Sequence, residues 1–207
     1  SKMGLYGLSE SVANVSTNKY HMKCALVKHG VNTARFCKVT SLDQLEEISK
    51  KLNFPLVVKA VDLASCKGIY VVRTINDLYI AYKGAMEITK KNYCIIEEFI
   101  EGEELGAEAF VYNNEVLFVV PNGKYVYMHN APAPIGHYVP LNIKSETIEQ
   151  IRIQVELAIK AIGLNNCAVN ADIILKEDKP YIIELTGRAG GTLLPELVST
   201  YYSINYY

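Results

Sequence analysis

Residues 170–188 read NADIILKEDKPYIIELTGR, and the reading of this stretch decides the fold. Asn170 to Leu175 has a short strand pattern, Lys176 to Pro180 is a polar turn cluster, and Tyr181 to Leu185 is a second strand pattern. A hairpin symmetric about Asp178 sets Leu175 opposite Tyr181, Ile173 opposite Ile183 and Asp172 opposite Glu184. Side chains alternate along a strand, so the two carboxylates project from one face of the sheet. Directly opposed like charges are destabilising unless something offsets them. A hard divalent cation such as Mg2+, held by one or two carboxylates together with phosphate oxygens, does so. Thr186 follows on the same face, and Gly187-Arg188 adds a cation. From the hairpin alone a second reading stands beside this one, a solvated face whose carboxylates pair with lysines.

The 207 residues suffice for one large domain or two small ones. Half are hydrophobic, 21% are charged and the net charge is −1, the composition of an ordinary globular protein. Without a basic excess, nucleic acid is not the expected partner. No apolar run reaches the length of a membrane span, and membrane is not expected either. Cys24, Cys37, Cys66, Cys94 and Cys167 are scattered, with no zinc or redox spacing. They read as free, mostly buried thiols in a reducing compartment, the cytoplasm. The carboxyl end, Ser203-Ile204-Asn205-Tyr206-Tyr207, is apolar and aromatic. It reads as the cut end of a longer polypeptide, with rings that another segment or another copy of the chain must cover.

Upstream, Lys19 to His29 has helical spacing, with Met22, Ala25, Leu26 and His29 on one side and Gly30 as a stop. Ser41 to Leu52 opens on a capping residue, Ser41, with Gln44 three positions on, and carries Leu42, Leu45, Ile48 and Leu52 on one stripe. Phe54 to Ala60 and Gly68 to Arg73 are strand patterns, and Asn76 to Thr89 is a helix with Asn76 as its cap. Cys94 to Ile100 is a third strand, Leu105 to Tyr112 and Glu115 to Val120 form a hairpin about Asn113-Asn114, and Lys124 to Val139 is irregular. Glu146 to Ile162 is an amphipathic helix stopped by Gly163. Strands bracketed by helices with hairpins between them predict an α+β fold. The pattern divides into a unit over residues 1–95, with an opening helix and a smaller sheet, and a hairpin-rich unit over 96–207.

Three further segments carry chemistry. Lys59 ends an apolar strand; such a lysine is commonly a snorkelling surface residue, and its functional reading is a phosphate contact. Ser65-Cys66-Lys67-Gly68 is a turn able to present backbone N–H groups to phosphates, though no GxxxxGK[ST] or GxGxxG motif is present. Cys94 to Ile100 is an extended segment suited to reading an adenine edge, with Glu104 beyond it to accept ribose hydroxyls; its alternative is an edge strand with acidic gatekeepers. His129 and His137, eight apart, lack the spacing or third ligand of a zinc site. No nucleophile elbow or Cys–His pairing is evident.

Taken in order, these segments resemble the ATP-grasp superfamily over nearly the whole chain. Asn18-Lys19 with Met22-Lys23 and Gly30 is similar to the family's opening helix, FPLVVKA from Phe54 to its phosphate-lysine strand, and SCKGIYVV from Ser65 to its phosphate loop. CIIEEFIEGEE from Cys94 is similar to its adenine hinge and ribose carboxylate, and IIELTGRAGGT from Ile182 to its metal-binding segment. The nearer likeness is to carbamoyl-phosphate synthetase-like and biotin carboxylase-like carboxylate–amine ligases. The resemblance implies two α+β lobes with ATP held between them, and an amino-terminal substrate lobe outside this chain. It implies that Lys19 and Lys59 contact phosphates while Ser65, Lys67 and Gly68 close over them. Glu97, Glu98, Phe99 and Ile100 would hold adenine and Glu104 the ribose. Asp172 and Glu184 would bind Mg2+ or Mn2+, with Arg188 and Lys59 serving the transferred phosphate. The implied reaction is ADP-forming: a small carboxylate is activated as an acylphosphate and an amine displaces the phosphate. The implied alternative is an ATP- and Mg2+-binding module without turnover. Asn18 stands for the usual Asp, the phosphate loop has few glycines, and Thr186 stands where an asparagine commonly supplies a metal ligand, which leaves that third position in doubt.

Overall fold

A computed structural model describes residues 7–64, 66–128 and 132–206. Two antiparallel sheets organise it. The smaller has the order β1-β4-β2-β3, with β1 Phe36–Val39, β2 Leu56–Ala60, β3 Ile69–Val72 and β4 Cys94–Glu98. Helices α3 (Leu45–Leu52) and α4 (Ile75–Ile88) cover one face. Leu45, Ile48 and Leu52 lie three to four positions apart and bury one stripe against Val39, Leu56, Val58 and Ile96. The expected capping box between Ser41 and Gln44 is present, opening a single 3-10 turn ahead of α3. For α4 the cap is Thr74 and not Asn76, because the Thr74 hydroxyl accepts from the Asp77 N–H.

The larger sheet has the order β7-β6-β5-β8-β9, with β5 Glu103–Tyr112, β6 Glu115–Met128, β7 Pro132–Tyr138, β8 Cys167–Lys176 and β9 Lys179–Thr186. Asn113 and Asn114 both take positive φ (49° and 65°), making the expected tight turn between β5 and β6. Residues 124–128 and 132–138 are strand and not irregular. The prolines that obscured the pattern lie in β7, an edge strand, the place in a sheet where proline is tolerated. Along β5 and β8, Leu105, Ala107, Ala109, Val169, Ala171 and Ile173 point to one face and form the main core with helix α5 (Ser145–Ile162). Gly163 ends α5 in the left-handed conformation at φ 81°. Met22 and Leu26 of α2 (Lys19–Lys28) enter the same core, and α1 (Glu10–Ser16), unread in the sequence, packs there through Val12 and Val15. On the opposite face, α6 (Leu194–Tyr202) and the buried Tyr206 cover Phe118 and Val120.

The decisive hairpin is β8–β9, and its register is not symmetric about Asp178. Glu177 and Asp178 form a two-residue turn with φ 51° and 60°, so Lys176 pairs with Lys179, Leu175 with Pro180 and Ile173 with Ile182. The register then shifts by one: Ile183 is left over as a bulge, and Asp172 pairs with Glu184. The cause is the spacing of apolar residues. Ile182 and Leu185 are both buried but three positions apart, and only an extra residue between them lets both face the core. The predicted opposition of Asp172 and Glu184 therefore exists through a different register from the one expected.

Deleting Ile183 alone should leave Glu184 opposite Asp172 in an uninterrupted ladder, with a modest loss of stability. Deleting Ile182 and Ile183 together should turn Glu184 toward the core and cost about 3 kcal/mol or more. Urea midpoints of the two variants check this; equal losses would refute the bulge's role.

Candidate functional site

The polar face of the larger sheet is a row of charged side chains. Asp172 and Glu184 lie opposite each other, Gly106 pairs with Asp172, and Asn122 pairs with Gly106. One rung further, Lys124 pairs with His137. Each carboxylate has a lysine: Lys124 donates to Asp172 Oδ1, and Lys19 Nζ lies 3.0 Å from Glu184 Oε1. The lysine-paired reading of the hairpin thus describes these side chains, but the lysines come from distant elements. Lys19 is the first residue of α2, where Asn18 caps the helix through bonds from the N–H groups of Tyr20 (3.0 Å) and His21 (3.2 Å). Its ammonium also donates to the Leu63 carbonyl at 2.8 Å. Lys124 was hidden by the unread strand.

Gly106 leaves room for this cluster: a Cβ there would stand 2.8 Å from Asn122 Oδ1 and 3.2 Å from Lys124 Cε. Burial raises the Glu104 carboxyl above its ordinary range, with Lys124 opposing and Asp172 adding to the shift. The Cys66 thiol is pushed up by burial and then by the charges of Asp172, Glu104 and Glu184, so the turn carrying Cys66 to Gly68 lies close to the acidic row. Gly68 takes φ 69° in that turn, and its carbonyl accepts from the Ala60 N–H at 2.9 Å. Lys67 is exposed, and Ser65 lies outside the described residues.

The smaller sheet contributes a second charged group. Lys59 does not snorkel: it is buried, and its Nζ lies 2.7 Å from Glu97 Oε2. Lys23 of α2, a residue sequence reasoning gave no role, reaches the same oxygen at 3.3 Å from a fully buried position. Burial works to raise the Glu97 carboxyl, but the two lysines outweigh it and hold it below its usual range. Glu98 points elsewhere, accepting from the Arg35 backbone N–H (2.9 Å) and Nε (2.7 Å). Phe99 and Ile100 are half-buried, with the Phe99 N–H bonded to the Pro55 carbonyl at 3.1 Å.

Beyond the hairpin, Thr186 turns its hydroxyl toward the Asn170 carbonyl at 3.4 Å. Arg188 is exposed and donates to the Ala189 carbonyl, apart from the lysine–carboxylate row. Glu108, also missed, is fully buried and accepts from Tyr206 Oη, Asn170 Nδ2 (2.6 Å) and the Gly190 N–H. Its place in alternation with Glu104 and Gly106 was the available signal. Tyr206, from the aromatic end expected to need cover, is itself covered. Burial lowers the His137 pKa, with Lys124 helping and Asp172 opposing. His129 lies outside the described residues. Among the described residues no three His, Cys, Asp or Glu side chains gather into a metal-holding group on their own.

Two antiparallel sheets, a lysine-bearing turn and strand on one, and a carboxylate row on the other define an ATP-grasp fold. Residues 17–192 match the family model of the phosphoribosylglycinamide synthetase ATP-grasp (A) domain, and the chain belongs to that family. It is 29% identical to a phosphoribosylamine–glycine ligase from Streptococcus pneumoniae, over 95% of this chain and 51% of that protein. The crystal structure of a phosphoribosylglycinamide synthetase from Anaerococcus prevotii superposes with TM-score 0.79 at 49% identity, covering 100% of this chain and 51% of the other. A biotin carboxylase from Campylobacter jejuni shares the fold, with TM-score 0.84 at 17% identity over 95% of this chain and 45% of its own. The chain thus spans about half the length of the relatives it matches.

The burial of Glu108 has a pH signature. Its folded-state value is raised above the ordinary 4.5, so its contribution to stability is full below the unfolded pKa and is lost as pH rises through the raised value. The stability of the wild type relative to Glu108→Gln should therefore fall as pH rises from about 4 toward neutrality. Urea denaturation of both proteins across that range measures it, and a rising difference would contradict the burial argument.

Proposed function

We propose that this chain is the ATP-binding portion of an ADP-forming carboxylate–amine ligase. The observation that carries the reading is the meeting of Lys19 with Glu184 and of Lys124 with Asp172 on the two opposed strands. These are groups that suit a polyphosphate and its cation once they exchange partners: the lysines for phosphate oxygens, the carboxylates for the metal. The donor set fits Mg2+ or Mn2+. Asp172 and Glu184 offer hard oxygens on adjacent strands, and such a cation is usually held by one or two carboxylates plus substrate phosphates. Thr186, bonded back to Asn170, is a poor third ligand. When bound, the metal would neutralise charge on the phosphates.

In this reading Lys19 and Lys59 contact the phosphates, Ser65, Lys67 and Gly68 close over them, and Glu97, Phe99 and Ile100 line the adenine, with Glu98 serving through its backbone because Arg35 holds its carboxylate. Glu104 accepts the ribose hydroxyls. Arg188 faces the substrate from the loop that Glu108 anchors through Gly190. The substrate carboxylate attacks the γ-phosphorus, ADP leaves, and an amine then attacks the acyl carbon, loses a proton and releases phosphate. Phosphoryl transfer of this kind depends on positioning and charge neutralisation more than on acid–base chemistry. An amino-acid carboxyl is the favoured substrate class, by likeness to phosphoribosylamine–glycine ligase. The free thiols of Cys24, Cys37, Cys94 and Cys167 suit a reducing compartment such as the cytoplasm. A second reading, nucleotide binding without turnover, is favoured by the chain's spanning about half of its relatives' length.

Calorimetry with Mg·ATP and an assay of ADP release with candidate amino acids and amines separate the two readings. Glu184→Ala should weaken Mg·ATP binding by roughly 100-fold or more, judged against the tenfold to hundredfold losses typical of supporting residues around a metal. Unchanged affinity would count against the site.

A further inference from the structure

The nucleotide reading gives no task to Lys23, the largest fully buried side chain among the described residues and a charged one. A buried ammonium is costly unless paired, so its partners bear on why it is there. Its Nζ donates to Thr33 Oγ1 at 2.7 Å and lies 3.3 Å from Glu97 Oε2; Thr33 Oγ1 in turn donates to the Ile182 carbonyl at 2.6 Å. Glu97 Oε2 is shared, since Lys59 Nζ approaches it to 2.7 Å, while Glu97 Oε1 has no hydrogen-bond partner. One buried carboxylate thus faces two ammonium groups, a local charge of +1. Without Lys23, Glu97 and Lys59 would form a closed neutral pair in a setting of low dielectric, where such a pair is hard to open.

We propose that Lys23 is a positioning residue of the nucleotide site: by sharing the Glu97 carboxylate from inside the protein, it leaves Lys59 with charge to offer a phosphate. The inference rests on the nucleotide reading above and adds to it a buried cation that never touches the ligand. The charged groups facing Lys23 are Glu97 on β4, Lys59 on β2 and Glu184 on β9. Burial pushes its pKa down to about 8, against the attraction of Glu97, so its charge is lost within an accessible pH range. Phosphate affinity should then fall as pH rises through 8. The folded-state value lies below the ordinary 10.5, so this same ionisation makes the fold more stable between those values, and lost affinity in that window is not unfolding.

The test is calorimetric binding of Mg·ATP and of Mg·tripolyphosphate, the latter free of any adenine contact. Lys23→Met should weaken both by about tenfold, the loss of one charge-assisted hydrogen bond. Adding Glu97→Gln to that variant should restore tripolyphosphate binding, because no anion then holds Lys59. Unchanged affinity in folded Lys23→Met, or no restoration in the double variant, overturns the inference. Should Lys23→Met fail to fold, the wild type decides: affinity for Mg·tripolyphosphate falls between pH 7 and 9.5 if the inference holds, and a flat profile overturns it. A wild type that binds neither compound at pH 7 defeats the nucleotide reading itself, and this inference with it.

Discussion

The opposition of Asp172 and Glu184 rests on one extra residue. The turn at Glu177-Asp178 starts β9 in a register that would set Ile183 against Asp172 and turn Glu184 into the core beside Ala171. The bulge at Ile183 absorbs that residue and restores the alternation, so that Leu185 is buried and Glu184 is not. The apolar demand of Ile182 and Leu185 and the polar demand of Glu184 are met by the same distortion. The part of the charged face that β9 supplies depends on it: the reach of Lys19 from α2 to Glu184 and the place of Thr186 beside Asn170.

The core decides where these lysines come from. Helix α2 lies on the main core through Met22 and Leu26, which fixes its rotation about its axis. Lys19, three residues before Met22, and Lys23, three before Leu26, are thereby aimed at the seam between the two sheets, one toward Glu184 and the other toward Glu97. A helix packed by two apolar side chains delivers one ammonium to each sheet. Through Thr33, the second is also tied to the Ile182 carbonyl at the start of the bulge.

Much of this was legible in the residues. Helix α2, the capping box at Ser41, the Asn113-Asn114 turn, helix α5 with its Gly163 stop and the Asp172–Glu184 opposition follow from periodicity, capping and turn chemistry, which act over a few residues. What was missed depends on partners far along the chain. Nothing near Lys23 announces Glu97, 74 positions away, and nothing near Glu108 announces Tyr206, 98 positions away. The bulge was a local feature and was readable from the three-residue spacing of Ile182 and Leu185. A symmetric hairpin concealed it, because both registers bring the same two carboxylates together. The edge strand β7 was obscured by prolines, which its position permits.

Paired lysines and carboxylates are satisfied charges, which taken alone argues against a site for a charged ligand. The balance of charge points the other way. Around the seam, Lys19, Lys23, Lys59 and Lys124 match Glu97, Glu104, Asp172 and Glu184 in number, so the cluster is close to neutral as it stands. A neutral cluster of half-buried charges is stable without ligand, and an unpaired row of carboxylates or lysines would not be. Mg·ATP brings both signs, a cation for the carboxylates and phosphates for the lysines, so an exchange of partners keeps every charge compensated. A ligand of one sign would leave half of the row unpaired. In the proposed reading the arrangement suits a metal–polyanion pair better than either component alone, with Lys23 keeping the balance at Glu97 while Lys59 changes partner.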